Sequence, residues 1–206
     1  MKCYVQKLER KTEFNLVVGI NGTGKTTWLN NNAVMLFKKS LVVTAHDGEW
    51  QNLPVINTAK EIYDLQGKAR IIYEGKQTLD NLLYYHGGSL VLDDARMFMS
   101  AKTIDSVRKI YISRRQRGVD VFISAHGLRQ VPVEAFTFAS WLFLFNTSEN
   151  FSDRKKELLP EKYEEIINAQ TEVRKKVLTG DPYYFKKILL DDQIKANYEA
   201  TRKTNG

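Results

Sequence analysis

Several groups of residues in this chain have types and spacings suited to work on a phosphate. Gly19-x-x-x-x-Gly24-Lys25-Thr26 is a glycine-rich turn closed by a lysine and a hydroxyl. It follows the apolar run of Phe14, Leu16, Val17, Val18 and Ile20 and opens a helix expected to reach about Lys39. Gly22 and Gly24 let the backbone curl so that several N–H groups converge on one anion at a helix N-terminus, where the macrodipole also favours negative charge. The cradle is then Gly19, Asn21, Gly22, Thr23, Gly24, Lys25, Thr26 and Thr27, with Lys25 reaching the β- and γ-phosphates of ATP and the Thr26 hydroxyl ligating Mg²⁺. Ser89-Leu90-Val91-Leu92 runs into Asp93-Asp94. An apolar strand ending in two carboxylates suits a first acid in the Mg²⁺ shell and a second that orients attacking water. His126 follows the run Val119 to Ser124, a position expected beside the γ-phosphate. His46, Asp47 and Glu49 lie in a polar turn after Ser40 to Ala45, either facing the nucleotide or forming a solvated loop.

The elements that must hold these groups read as alternating strands and helices. After the turn at His46–Trp50, Thr58 caps a helix to Leu65, Ala69 to Tyr73 forms a strand, and Lys76 to Tyr85 a helix stopped by Gly87-Gly88. Lys102 to Arg117 is read as one helix with Arg114, Arg115 and Arg117 crowding its last turn, where cations complement the dipole. Ser140 to Phe145 is the last strongly apolar strand. From Ser148 the sequence turns charged, with helices at Arg154–Leu159 and Pro160–Val177 and basic clusters Arg154-Lys155-Lys156 and Arg174-Lys175-Lys176. Gly180-Asp181-Pro182 then leads into a closing strand from Tyr183 to Leu190, and the polar tail from Asp191 is expected to fray. Cys3-Tyr4-Val5 reads as an edge strand. The expected fold is α/β, with residues 1–150 as the core and 151–206 as a helical and strand extension packed on the same domain.

Composition sets the class. The 206 residues with 43% hydrophobic content can bury one α/β core. The single cysteine excludes internal disulfides and Cys-based zinc sites, which suits a cytoplasmic chain. No apolar run approaches the ~20 residues that span a bilayer. A formal charge of +7 favours an anionic partner without identifying it.

These residues together resemble the P-loop NTPase fold of the RecA/ASCE-like branch, a three-layer sandwich with a mostly parallel central sheet and an extra strand between the phosphate loop and the Asp-bearing strand. Within it the chain resembles the FtsK/HerA superfamily of DNA-pumping ATPases, chiefly from Leu90 to Phe145. That family places an Arg shortly before a Gly, a strand ending in a polar sensor, a Pro-containing turn and another apolar strand after its two acids. Here these are Arg115 before Gly118, Val119 to Ser124 with His126, Val131-Pro132, and Trp141 to Phe145. The small members are genome-packaging ATPases of membrane-containing icosahedral viruses. The chain departs from the family at Asp94, usually Glu, which leaves water positioning to Asp94 or Glu49, and at His126, where Gln is common.

The resemblance implies an ATPase, with ATP and Mg²⁺, that moves nucleic acid, double-stranded DNA by preference, as a viral or phage packaging motor. It implies a ring-shaped homo-oligomer anchored to a capsid or portal component, in the host cytoplasm or the virion. Arg115 would serve as an arginine finger on a neighbouring subunit's nucleotide, and the Lys102–Arg108 segment and C-terminal basic clusters would be candidates to meet the DNA backbone. A small nucleoside or nucleotide kinase, with Arg114-Arg115-Arg117 imitating a lid, and an ATP-dependent assembly switch with weak hydrolysis are the competing readings.

Overall fold

The computed structural model describes residues 11–149 and 160–191. The Cys3-Tyr4-Val5 strand, the Arg154–Leu159 helix with its basic cluster, and the tail after Asp191 lie outside the described residues.

Seven short apolar runs become strands: β1 (Phe14–Val18), β2 (Ser40–Thr44), β3 (Lys68–Ile72), β4 (Gly88–Leu92), β5 (Val119–Ala125), β6 (Trp141–Leu144) and β7 (Lys186–Leu189). They form one sheet in the order β3-β2-β4-β5-β1-β6-β7. Every neighbouring pair is parallel except β6 and β7, which run antiparallel. The central strands β1, β2 and β5 are buried along their whole length, which is why they read as near-continuous apolar runs without polar alternation. β5 lies between β1 and β4, the inserted strand that the sequence implied.

Because successive side chains on a strand face opposite ways, the sheet feeds two apolar layers. One, with Leu16, Val18, Leu41, Leu90 and Val121, is covered by helices α2 (Ala59–Asp64), α3 (Lys76–Asn81), α4 (Ala95–Phe98), α5 (Ile104–Ile112), α6 (Arg114–Arg117), α7 (Val133–Phe138) and α8 (Pro160–Leu178), or by residues packed beside them. The other, with Val17, Val42, Val91, Phe122 and Phe143, packs against α1 (Lys25–Leu29) and the turn of π-helix that continues it, Asn30–Val34. α8 contributes Ile166 and Ala169, and β7 Ile188, to the first layer, so residues 160–191 share the core of the preceding sheet.

Several element boundaries differ from the sequence reading. The helix after the phosphate loop ends at Val34 rather than Lys39, because Asn30-Asn31-Asn32 widens it into a π turn whose last N–H, that of Met35, reaches Asn30 O at 2.8 Å. The single helix expected from Lys102 to Arg117 starts at Ile104 and breaks at Ser113, whose hydroxyl donates to Lys109 O at 2.6 Å; side-chain bonding of this kind competes with the helix. The expected closing strand from Tyr183 contracts to Lys186–Leu189. Thr58 does cap α2, through a reciprocal box with Glu61.

Candidate functional site

In an open parallel sheet, ligands gather where strands end at their carboxyl edge. Here β1, β2, β4 and β5 deliver the predicted groups to one edge: the Gly19–Thr27 loop, the His46–Trp50 turn, Asp93-Asp94 and His126. The parallel register fixes their spacing. Val18 pairs with Ala125 and Leu92 with Ile123, so Gly19 comes beside His126 and Asp93 beside Ser124.

The loop is anchored on both flanks. Gly19 N–H donates to Ala125 O at 3.0 Å and Ile20 N–H to Asn146 O at 2.8 Å. Gly19 must be glycine because of close approach: a Cβ there would fall 2.5 Å from Phe145 Cβ and 3.1 Å from Asn146 O. Gly24 has φ 89°, a left-handed conformation that precedes α1 and that only glycine adopts without strain. Thr23 Oγ1 donates to Ile20 O at 2.8 Å, and the Lys25 ammonium donates to the same carbonyl at 3.0 Å. Lys25 is buried. Desolvation holds its pKa below the ordinary lysine range, against the pull of Asp93 and Asp94 and with a further push from Arg96. Thr26 and Thr27 stay exposed at the start of α1.

Asp93 is 8% exposed and held from both sides. Trp50 Nε1 donates to Oδ2 at 2.8 Å and Ser124 Oγ to Oδ1 at 2.5 Å. Both donors are neutral groups, and the carboxylate oxygens keep further lone pairs for other partners. Among the described residues no three His, Cys, Asp or Glu cluster to hold a metal by themselves. A Mg²⁺ here would be completed by phosphates and water, as is usual for this cation, and the exposed Thr26 hydroxyl and the oriented Asp93 carboxylate fit that arrangement.

Asp94 adopts φ 68°, uncommon for a non-glycine residue. Its N–H is taken by Ser124 Oγ at 2.8 Å. Its carboxylate is clamped by Arg96, with Nε to Oδ1 at 3.0 Å and Nη2 to Oδ2 at 2.7 Å, and His126 Nε2 lies 3.5 Å from Oδ2. Burial would raise the Asp94 pKa, but the Arg96 hydrogen bonds and charge, with His126, outweigh it and leave the group below the usual carboxylate range. His126 is pushed below its ordinary value by burial first and by Lys25 next, against the attraction of Asp94. It is therefore a neutral imidazole at physiological pH.

Glu49 accepts from the Thr44 hydroxyl at 2.7 Å, and Arg70 binds the Asp47 and Glu49 carbonyls at 2.6 Å each. The turn is thus fixed by a buried arginine from β3, while the side chains of His46, Asp47 and Glu49 are exposed. Trp50, from the same turn, is the residue that touches the site.

The three arginines of the sequence cluster separate. Arg114 is buried and donates to Tyr111 O at 2.8 Å; Arg117 caps the carbonyls of Leu82, Tyr85 and Ile110. Arg115 alone is exposed, on α6 ahead of β5. β5 has seven residues, so at about 3.3 Å each Arg115 stands about 20 Å from the phosphate loop of its own chain. Among the C-terminal basic residues, Arg174 is engaged with Thr147 O at 3.0 and 3.1 Å, and Lys175 and Lys176 are exposed.

Sequence reasoning missed Ser124, Trp50 as a ligand of Asp93, and Arg96. Ser124 becomes visible once β5 is placed beside β4, because the register puts it opposite the first acid. Arg96 carried only its distance of two residues from Asp94 as a signal.

No protein-family model matches the sequence, and no curated protein matches it either. Solved structures do. The chain is similar to the genome packaging NTPase B204 from Sulfolobus turreted icosahedral virus 2 in complex with AMPPCP, with a TM-score of 0.67, 16% identity, and coverage of 88% of this chain and 94% of that one. It is likewise similar to B204, the DNA-packaging ATPase from Sulfolobus Turreted Icosahedral Virus, with a TM-score of 0.66, 17% identity, and coverage of 89% and 95%. At this identity the likeness establishes the fold, that of a P-loop NTPase.

Proposed function

We propose that the chain is an ATP-hydrolysing nucleic-acid translocase of the genome-packaging type, acting on double-stranded DNA as a ring of identical subunits. The observation that carries this reading is the convergence of Lys25, Asp93, Asp94 and His126 on one sheet edge, with β5 inserted between the loop-bearing and acid-bearing strands. The similar viral proteins are a genome packaging NTPase and a DNA-packaging ATPase, which supports the choice of substrate.

The residues divide the work as follows. The N–H groups of the 19–27 loop and the Lys25 ammonium bind the phosphates of ATP. Bound Mg²⁺ would neutralise phosphate charge, with Thr26 and Asp93 holding it, Asp93 through water. Asp94, with Glu49 as the second candidate, orients the attacking water. Neutral His126, beside Asp94, senses the γ-phosphate by hydrogen bonding. Arg115 is too far from its own loop to act there and serves a neighbouring subunit's nucleotide, which is why the reading needs a ring. DNA is gripped through phosphates by exposed basic residues, Lys102, Lys175 and Lys176 being candidates, and a capsid or portal component anchors the ring.

The Arg96 clamp on Asp94 favours one second reading, a switch that binds ATP and hydrolyses it slowly. A kinase is less well supported, because Arg114 and Arg117 are tied to backbone carbonyls and are not available as a lid. Steady-state ATP hydrolysis against added double-stranded DNA, at low and moderate salt, separates these. A motor is stimulated by DNA, loses that stimulation with salt, and loses turnover but not ATP binding in Arg115→Ala. Slow turnover indifferent to DNA and to Arg115, abolished by Lys25→Ala, would leave the phosphate loop intact and remove the motor.

A further inference from the structure

Next to the phosphate loop, on the side away from Asp94, the structure holds a cavity of about 520 Å³. Its walls come from the loop, α1 and the π turn, through Gly24, Thr27 and Asn31, and from the C-terminal segment, through Tyr183 and Phe185, with Phe145 behind. None of the lining side chains carries a charge. The Tyr183 ring lies directly on the loop, since a Cβ on Gly24 would come 3.1 Å from Tyr183 Cδ1. Phe185 stacks on Phe145 with centroids 4.9 Å apart.

The segment is built to present these rings. Tyr184, between them, turns the other way and donates its hydroxyl to Glu172 of α8 at 2.6 Å. Lys186 pairs with the same Glu172 at 2.9 Å. α8 therefore pins the segment by its middle residue, leaving Tyr183 and Phe185 to the cavity. Tyr183 is 64% exposed although it is a large aromatic in a fixed segment. An aromatic face, uncharged walls and the Asn31 amide suit a flat heteroaromatic ring with hydrogen-bonding edges, and the volume lies within the range of small-ligand pockets.

We propose that this cavity takes the purine base of the nucleotide whose phosphates sit on the 19–27 loop, with Tyr183 as the stacking platform and the Asn31 amide on the base edge. This rests on the reading of that loop as a nucleotide site. It makes the α8–β7 unit part of the active site, so that a C-terminal element, not the sheet core, recognises the base.

The test compares binding of ATP and of inorganic tripolyphosphate, each with Mg²⁺, by calorimetry on the full chain and on Tyr183→Ala, Tyr183→Phe and Lys25→Ala. Loss of a stacking ring should weaken ATP by about tenfold to a hundredfold in Tyr183→Ala and leave it within about twofold in Tyr183→Phe. Tripolyphosphate, which has no base, should bind Tyr183→Ala as it binds the native chain. Unchanged ATP affinity in Tyr183→Ala, or an equal loss of both ligands, overturns the base site. A native chain that binds neither ligand, with Lys25→Ala no different, refutes the nucleotide reading itself, an outcome distinct from the other two.

Discussion

Ser124 ties the two acids together, and its replacement tests the geometry of the site most directly. Its hydroxyl donates to Asp93 Oδ1 at 2.5 Å and accepts the Asp94 N–H at 2.8 Å, and the residue is 2% exposed. Ser124→Ala removes both bonds at once. A hydrogen bond to a charged acceptor contributes about 1.5–3 kcal/mol, and the partly buried Asp94 N–H left without a partner adds a cost at or below the ~1–3 kcal/mol of a fully buried one. The two effects overlap in one small site, so the expected loss is about 2–4 kcal/mol. For a chain of 206 residues, at about 2–4 °C per kcal/mol, calorimetry should find Tm lower by about 5–15 °C. Turnover should fall by about tenfold or more, because in the proposed mechanism water orientation depends on Asp94 being held, while ATP binding through the loop changes less. A Tm within about 2 °C of the native chain together with unchanged turnover would refute the reasoning, since the hydroxyl would then hold nothing.

Gly19→Ala should destabilise the chain by about 1–3 kcal/mol in urea unfolding and weaken ATP binding, since the new Cβ meets the Phe145 Cβ and the Asn146 carbonyl just past the end of β6, neither at the free end of a flexible side chain. His126 should titrate below the ordinary histidine value of about 6.5 in an NMR pH series, with His126→Gln identifying its signal among the three histidines. A base whose folded pKa is depressed contributes stability above the unfolded pKa and loses it as pH falls, so His126→Gln should also flatten the decline in stability below about pH 6.5. Arg96→Ala frees the Asp94 carboxylate. The native Asp94, with its pKa depressed, contributes stability above its unfolded pKa that is lost on acidification, so the variant should be less stable at neutral pH and show a flatter profile below about pH 4 by urea unfolding across pH.

The strands and the phosphate loop were legible because local signals agree there: buried parallel strands leave unbroken apolar runs, and the loop's glycines and lysine sit at fixed intervals. Legibility failed where tertiary context decides. The Asn30–Val34 π turn is a widened backbone bond and the break at Ser113 a side chain bonding to nearby backbone, and periodicity registers neither. Ser124 looked like an ordinary strand residue and became part of the site only through the register of β5 on β4. Tyr183 reads as the start of a strand, yet β7 begins at Lys186, because its partner β6 ends at Leu144, opposite Lys186, and leaves the earlier residues no ladder to join. Arg114, Arg115 and Arg117 are alike in sequence and separated only by burial, and that separation leaves Arg115 as the one member of the trio exposed for a partner.

The position of Arg115 gives the ring reading a test that activity in a single variant lacks. Because Arg115 lies about 20 Å from its own loop along β5, the proposed finger role requires a nucleotide on another subunit. On the proposed ring reading, Arg115→Ala subunits would retain a binding site and lack the finger, and Lys25→Ala subunits would retain the finger and lack the site. Each alone should be nearly inactive, by about 10³-fold or more where a finger is at work. In a 1:1 random mixture, a site from the first meets a finger from the second at about one interface in four, so hydrolysis should recover to about a quarter of the native rate if interfaces act independently. The assay is ATP turnover of separately purified variants before and after mixing, across a range of ratios. Recovery that peaks near equal proportions requires a finger supplied across a subunit boundary. No recovery at any ratio, with both variants folded and the Arg115→Ala chain still binding ATP, would show that turnover does not depend on an arginine supplied by a neighbour, and the exposed end of α6 would have to be explained by something other than catalysis.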